Sequence, residues 1–230
     1  VIEKEHEGVC AACLAGMKTS EAEFVFYMDS DVIPEKAGML KKLYQNIRLD
    51  KRVAAVQALV LQEETKDDVF TMRRRGGSVE KIDGRRIFGC GFRFNRDLTP
   101  TPDMFDFYVL NFSWHPYWSW KDIGSMGWCY ILRREAYEQV GGYDERFKTG
   151  RYCFHIDLAF RMRREGWRIK LSNLAIVYHP VFKERPEGDL AVEPENMELF
   201  QWKWAGTDYV KRGSVPRPQF RILREIRAEV

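Results

Sequence analysis

Phe24-Val25-Phe26-Tyr27-Met28-Asp29-Ser30-Asp31 sets five apolar or aromatic residues directly before two carboxylates one residue apart. The apolar run predicts a buried strand of a parallel sheet. Two carboxylates this close are costly to bury unless something positive neutralises them. A divalent cation at the carboxyl end of the strand, where open α/β sheets bind ligands, meets that need. Pro34 and the helical run Ala37-Gly38-Met39-Leu40-Lys41-Lys42-Leu43-Tyr44 follow at once, so the carboxylates fall on a strand-to-helix loop. The competing reading is an acidic turn in which Asp31 only caps that helix.

The surroundings of this stretch carry a family resemblance. Upstream stand Gly8-Val9-Cys10-Ala11-Ala12-Cys13 and Gly16, a helix of small residues. Downstream come Gly127-Trp128-Cys129-Tyr130-Ile131-Leu132-Arg133-Arg134-Glu135 and then Val140-Gly141-Gly142-Tyr143-Asp144-Glu145-Arg146-Phe147. Asp157-Leu158-Ala159-Phe160-Arg161 leads to Gly166-Trp167-Arg168, and Leu174-Ala175-Ile176-Val177-Tyr178 closes on His179. In this order, from about Gly8 to His179, the motifs resemble those of the family 2 glycosyltransferases. The resemblance implies an α/β, GT-A-like (Rossmann-like) fold with a mostly parallel sheet and flanking helices.

It also implies a chemistry: transfer of a sugar from a nucleotide-diphospho-sugar to an acceptor hydroxyl of a glycan or lipid-linked molecule, with inversion at the anomeric carbon. The departing diphosphate needs a Lewis acid, Mn²⁺ or Mg²⁺, held by Asp29, Asp31 and His179. A histidine beside carboxylates leans toward Mn²⁺. The acceptor hydroxyl needs a general base, and here the sequence departs from the family. Phe154 and His155 occupy the positions where the family carries an acidic pair. His155 is one candidate base, its ordinary pKa lying near neutrality. Asp157 is the other, unless it only caps the helix starting at Leu158. Leu14 is a second departure, standing where the family commonly has Asn beside the donor.

Between the two halves lie less regular segments. Arg52 to Leu61 reads as another sheet strand. Arg73-Arg74-Arg75 is either a solvated turn or a diphosphate contact, and Arg75 is the donor-binding candidate because arginine forks suit phosphate oxygens. Ile82 to Phe94 holds an Asp83-Gly84 turn between alternating segments, a hairpin signal. Phe105 to Trp120 is crowded with rings. These either fill the core or present Trp114, Trp118 and Trp120, with Gly127 and Trp128 after them, as an acceptor-binding wall.

Composition sets broader bounds. The 230 residues are 45% hydrophobic with a net charge of +3, enough for one globular core and too weakly basic to argue for nucleic acid. No apolar run reaches the roughly 20 residues needed to span a bilayer, so the expectation is a cytoplasmic protein or one held at the cytoplasmic face of a membrane. Five cysteines without a repeating spacing argue against a disulfide framework, and Cys10 and Cys13 lack the second pair that would complete a zinc site. Two parts are expected: residues 1–185 as a partial glycosyltransferase domain, and residues 186–230 as a linker with a helical extension. Met197 to Trp204 is apolar enough to dock on the domain. Pro218 to Arg227 has the pattern of a basic amphipathic helix, suited to packing or to an anionic lipid surface.

The small-residue helix begins within ten residues of Val1, leaving no room for the family's opening βαβ unit, which takes about 30 residues. Further domains of the same polypeptide, or another chain, are expected to supply it. A non-catalytic partner subunit of the same fold therefore stands beside the transferase as a reading. A nucleotidylyltransferase lacks its Gly-rich signature here, and a plain carbohydrate- or membrane-binding module is the remaining alternative.

Overall fold

Ten-residue strand β3 (Val53–Gln62) is the spine of the fold. The computed structural model describes residues 8–62, 81–82, 85–88, 92–94, 100–105, 126–147, 153–180 and 193–204. Arg75, the aromatic segment bearing Trp114, Trp118 and Trp120, and the basic tail beyond Trp204 lie outside the described residues. From Val53 to Leu61 β3 is buried along its whole length, the polar Gln57 included. Such a run, covered on both faces, forms a central strand because each buried aliphatic side chain contributes about 1.5–3 kcal/mol.

Along one edge, β9 (Arg168–Tyr178) pairs with β3 in parallel from Val53↔Arg168 to Leu61↔Tyr178. The other edge is shared. β8 (Cys129–Arg133) takes Ala55 to Gln57, and β5 (Arg85–Phe88) takes Val60 to Gln62, both antiparallel. β1 (Phe24–Met28) pairs antiparallel with β8, with Tyr27 opposite Tyr130. Strands β1, β3 and β9 therefore run the same way, as a doubly wound sheet requires. The expectation of a mostly parallel sheet holds for the direction of these strands, while hydrogen-bonded neighbours are mainly antiparallel because β8 is inserted between β1 and β3. β4 (Lys81–Ile82) pairs with β5, Ile82 facing Arg85, which is the hairpin the Asp83-Gly84 signal predicts. β6 (Phe92–Phe94) and β7 (Pro100–Phe105) form a separate pair.

β1 is less buried than its composition predicts. Phe24 to Tyr27 are half-buried and Met28 is exposed, because among the described residues β1 has β8 as its strand neighbour on one side.

Helix α1 (Val9–Lys18) is the small-residue helix, with Cys10 buried and Cys13 half-buried. Burial pushes both thiols up to about 12, so neither is a thiolate at neutral pH. Helix α2 (Met39–Arg48) starts after Gly38 rather than at Ala37. Its last turn is tied to the sheet by buried Arg133, which donates to Val53 O at 3.1 Å and Ile47 O at 2.9 Å.

α3 (Arg134–Gln139) ends at the paired glycines, Gly141 at φ 77° and Gly142 at φ 73°. Gly142 N–H closes the helix on Tyr137 O at 2.8 Å, the use of glycine at a helix end that its left-handed φ permits. Asp144 then folds the next turn, accepting from Arg146 N–H at 3.1 Å, and Phe147 enters the core.

α4 (Cys153–Arg164) begins earlier than the sequence predicts, so Asp157 sits inside the helix rather than at its cap. Fully buried, Asp157 accepts from Arg161 Nε at 2.8 Å and, from α5 (Glu193–Trp204), from Trp204 Nε1 at 2.9 Å and Lys203 Nζ at 2.6 Å. Lys203 also bridges Asp144 at 2.7 Å, holding the Asp144 carboxyl below the usual range together with Arg146, whose hydrogen bond is the larger cause. The rings of Phe200 and Trp204 pack on Phe160. α5 thus docks as its apolar pattern predicts, and two carboxylates hold it there.

Two stability measurements check this account. A Cβ at Gly142 would stand 2.8 Å from the Tyr137 ring, so Gly142→Val is expected to cost about 2–5 kcal/mol from backbone strain and overpacking together. Urea unfolding reads it; an unchanged midpoint with lost ligand binding would give Gly142 a ligand role instead. Asp157→Ala strands Lys203 and Arg161, and is expected to cost about 3 kcal/mol, checked by the same measurement.

Candidate metal centre

Asp29 and Asp31 leave β1 on a turn closed by Val32 N–H donating to Asp29 O at 3.1 Å. The sequence predicts a plain strand-to-helix loop here. The structure adds β2 (Ile33–Pro34), which pairs with the end of β9, Ile33 opposite Tyr178 and Pro34 opposite Val177. Glu35 N–H adds a bond to Ile176 O at 3.1 Å. This pinning brings Asp31 to His179, the residue that follows β9. His179 Nε2 lies 3.5 Å from Asp31 Oδ2, and the backbone N–H of His179 is held by Leu61 O at 2.9 Å.

Asp29, Asp31 and His179 are all half-buried, and one ligand atom from each lies within 4.8 Å of the others. They form the triad that the sequence names as metal ligands. With α2 starting at Met39, Asp31 does not cap that helix.

The electrostatics of the triad are those of a site short of positive charge. Burial pushes the Asp29 carboxyl up to about 6; the Tyr27 phenol works against the shift and the Asp31 carboxylate adds to it. Burial lowers the His179 pKa, with Asp31 opposing, which favours the neutral imidazole, the form that ligates a metal. Two carboxylates and a neutral imidazole are a donor set that suits Mn²⁺ and also accepts Mg²⁺.

Trp128, expected on the acceptor wall, is buried beside this triad with its ring edge-on to His179 at 6.3 Å. Its φ of 54° stands alone among the non-glycine residues described. Cys129 N–H reaches back to Gly127 O at 2.6 Å across it, a tight three-residue turn on the rare, strained side of φ. The same Trp128 accepts Asp29 N–H through its carbonyl at 2.8 Å, and Gly127 N–H is held by Gln57 Oε1 at 2.8 Å. No sequence signal marks a tryptophan for this backbone.

The two candidate bases are placed differently from the triad. His155 is buried on α4 among Tyr27, Tyr130, Tyr143 and Phe154, its Nδ1 3.0 Å from the Tyr130 hydroxyl, which also meets the Tyr143 hydroxyl. Burial pushes its pKa down to about 3, far from the near-neutral value that suits a general base. Asp157 has both oxygens engaged by Arg161, Trp204 and Lys203, which gives it a packing role. Leu14 packs partly buried against the core.

Sequence reading missed Tyr27, whose phenol donates to Asp29 Oδ1. Period-two alternation puts residues 27 and 29 on one face of the strand, a signal that was available.

No protein-family profile matches the chain. The O-antigen biosynthesis protein RfbC of Myxococcus xanthus is 28% identical over 105 residues, which is 35% of this chain and 8% of that protein. N-acetylglucosaminyl-diphospho-decaprenol L-rhamnosyltransferase of Mycobacterium tuberculosis is 28% identical over 103 residues, 39% of this chain and 33% of that protein. The matches thus span a third or less of the relatives' own lengths. The crystal structure of GalNAc-T7 with UDP, GalNAc and Mn²⁺ superimposes with a TM-score of 0.50 and 13% identity over 81% of this chain and 32% of that one. The chain has the GT-A fold, and in sequence it resembles the glycosyltransferases.

Proposed function

We propose that this chain is the metal-binding and acceptor-side part of a glycosyltransferase that moves a sugar from a nucleotide-diphospho-sugar to a hydroxyl on a glycan or lipid-linked acceptor, by inverting displacement. The observation that carries it is the convergence of Asp29, Asp31 and His179 at the carboxyl ends of β1 and β9, where open α/β sheets hold ligands. The relatives' names support the reaction class, one of them a decaprenol-linked acceptor. A lipid-linked acceptor would put the reaction at the cytoplasmic face of a membrane. Among the described residues no helix is long and apolar enough to cross one.

The residues fit a divalent cation by their donor set and by the raised proton affinity of Asp29. Bound there, Mn²⁺ or Mg²⁺ supplies the positive charge that a departing diphosphate requires. Asp31 and His179 hold it from the β1–β2 turn and the end of β9, and Asp29 completes the set from the deeper position. Trp128 shields His179 and presents one edge of the acceptor side, with Gly127 behind it. Arg75 remains the diphosphate contact and Trp114, Trp118 and Trp120 the acceptor wall in this reading. Of the two base candidates Asp157 is left to packing, and His155 is the group that faces the Tyr27–Asp29 layer.

A specific observation favours a second reading. The family's acidic pair is replaced by Phe154 and His155, both buried, so a donor-binding subunit without transferase activity is the alternative. Nucleoside diphosphate release from a panel of nucleotide-sugars with Mn²⁺ separates the two: slow release supports the transferase, and binding without release supports the subunit.

Two predictions test the metal centre. Asp31→Ala is expected to abolish Mn²⁺ binding, and with it Mn²⁺-dependent binding of nucleoside diphosphate, while the melting temperature stays near wild type. Isothermal titration reads both, and equal affinity in the two proteins would rule out the metal role. The second follows from Asp29. Burial raises its folded pKa to about 6 from an ordinary 3.8, so its contribution to stability is fully present below pH 4 and is lost as pH rises through 6. Asp29→Asn is therefore expected to stabilise the metal-free protein at neutral pH by on the order of 1 kcal/mol, with the gain vanishing near pH 4. Denaturant unfolding at the two pH values checks the sign.

A further inference from the structure

Tyr27 stands behind the metal centre rather than in it. Its phenol donates to Asp29 Oδ1. The ring that carries the phenol is held on several sides. Tyr27 pairs with Tyr130 in the β1–β8 ladder, its ring stacks on that of Tyr130 at 4.9 Å and 23°, and the edge of His155 meets it at 4.9 Å. Tyr130 is in turn fully buried and tied through its hydroxyl to Tyr143 and to His155 Nδ1 at 3.0 Å. None of these rings can swing away without opening the core.

An aspartate carboxylate on a strand end otherwise rotates freely about its last bond, because that torsion is broad and two-fold. A phenol, with an ordinary pKa near 10, is a donor throughout the neutral range. Fixed against one oxygen, it selects one carboxylate orientation and leaves the remaining acceptor positions for a cation. Ligand orientation by an outer hydrogen bond is a general determinant of metal affinity.

We propose that Tyr27 is a positioning residue that presets the Asp29 carboxylate for the divalent cation. The aromatic layer Tyr130–Tyr143–His155 keeps Tyr27 in place. The inference rests on the metal reading above and adds to it a residue that touches neither metal nor substrate. It also gives the buried His155 a task other than that of a base: its imidazole edge limits the Tyr27 ring.

The test is a titration of Mn²⁺ by electron paramagnetic resonance at neutral pH on four forms of the chain: wild type, Tyr27→Phe, Asp29→Asn, and Tyr27→Phe combined with Asp29→Asn. Asp31→Ala serves as the metal-site control. Tyr27→Phe keeps the ring and its stacking, and near-ultraviolet circular dichroism confirms the aromatic layer in each variant. The expected result is Mn²⁺ affinity reduced about 10-fold in Tyr27→Phe, with no further reduction when the same change is made in Asp29→Asn. Wild-type affinity in Tyr27→Phe, or an equal loss in both backgrounds, overturns the positioning role while leaving the metal centre standing. Equal Mn²⁺ binding by wild type and Asp31→Ala overturns the metal reading, and this inference with it.

Discussion

Parallel pairing between β3 and β9 aligns Leu61 with Tyr178 and so delivers His179 to the same end of the sheet at which β1 releases Asp29. Direction alone would leave the carboxylates and the imidazole on neighbouring but separate loops. The short β2–β9 ladder closes that gap by stitching Ile33 and Pro34 to the last residues of β9. Few bonds are involved, yet they convert two strand ends into one donor set. β8, running against its neighbours, contributes the third wall through Trp128, whose carbonyl takes the Asp29 N–H.

The centre carries two local costs. Half-buried Asp29 carries an ionisation cost at neutral pH, and Trp128 holds a backbone conformation that costs on the order of 1–3 kcal/mol. Such strain persists only where the surroundings over-determine it. Here they do: β3 and β8 are buried almost throughout, Gln57 fixes Gly127, and the stacked tyrosines fill the space beneath Asp29.

A second centre of charge lies away from the first and serves the fold. Asp157 and Asp144 share Lys203, and Asp157 also receives Arg161 and the Trp204 indole. Through these contacts α5 joins the middle of α4 to the turn after the paired glycines. The carboxylate two positions after His155 is thereby committed to packing. His155, three residues into α4 and ringed by aromatics, is kept neutral by burial.

The strand before Asp29, the small-residue helix, the glycine turn after α3 and the docking of α5 were all legible in the sequence. Each rests on local pattern: apolar runs, residue size, glycine pairs and apolar spacing. The Asp29–Asp31 pair was legible as a candidate cation site from its place at a strand end, but His179 joined it only through resemblance, because Asp31 and His179 are far apart in the chain and no local rule joins them. Tertiary structure alone decided the β2–β9 stitch that unites them, the left-handed φ of Trp128 and the burial that drives the His155 and Asp29 pKa values in opposite directions. It also decided the fate of Asp157, which the sequence leaves open between a base and a helix cap. Whether a carboxylate acts as base, ligand or anchor depends on which groups surround it, and those groups arrive from Arg161 on its own helix and from Lys203 and Trp204, more than forty positions away. Sequence determined what chemistry was available; the pairing of distant strands and helices decided where it could be used.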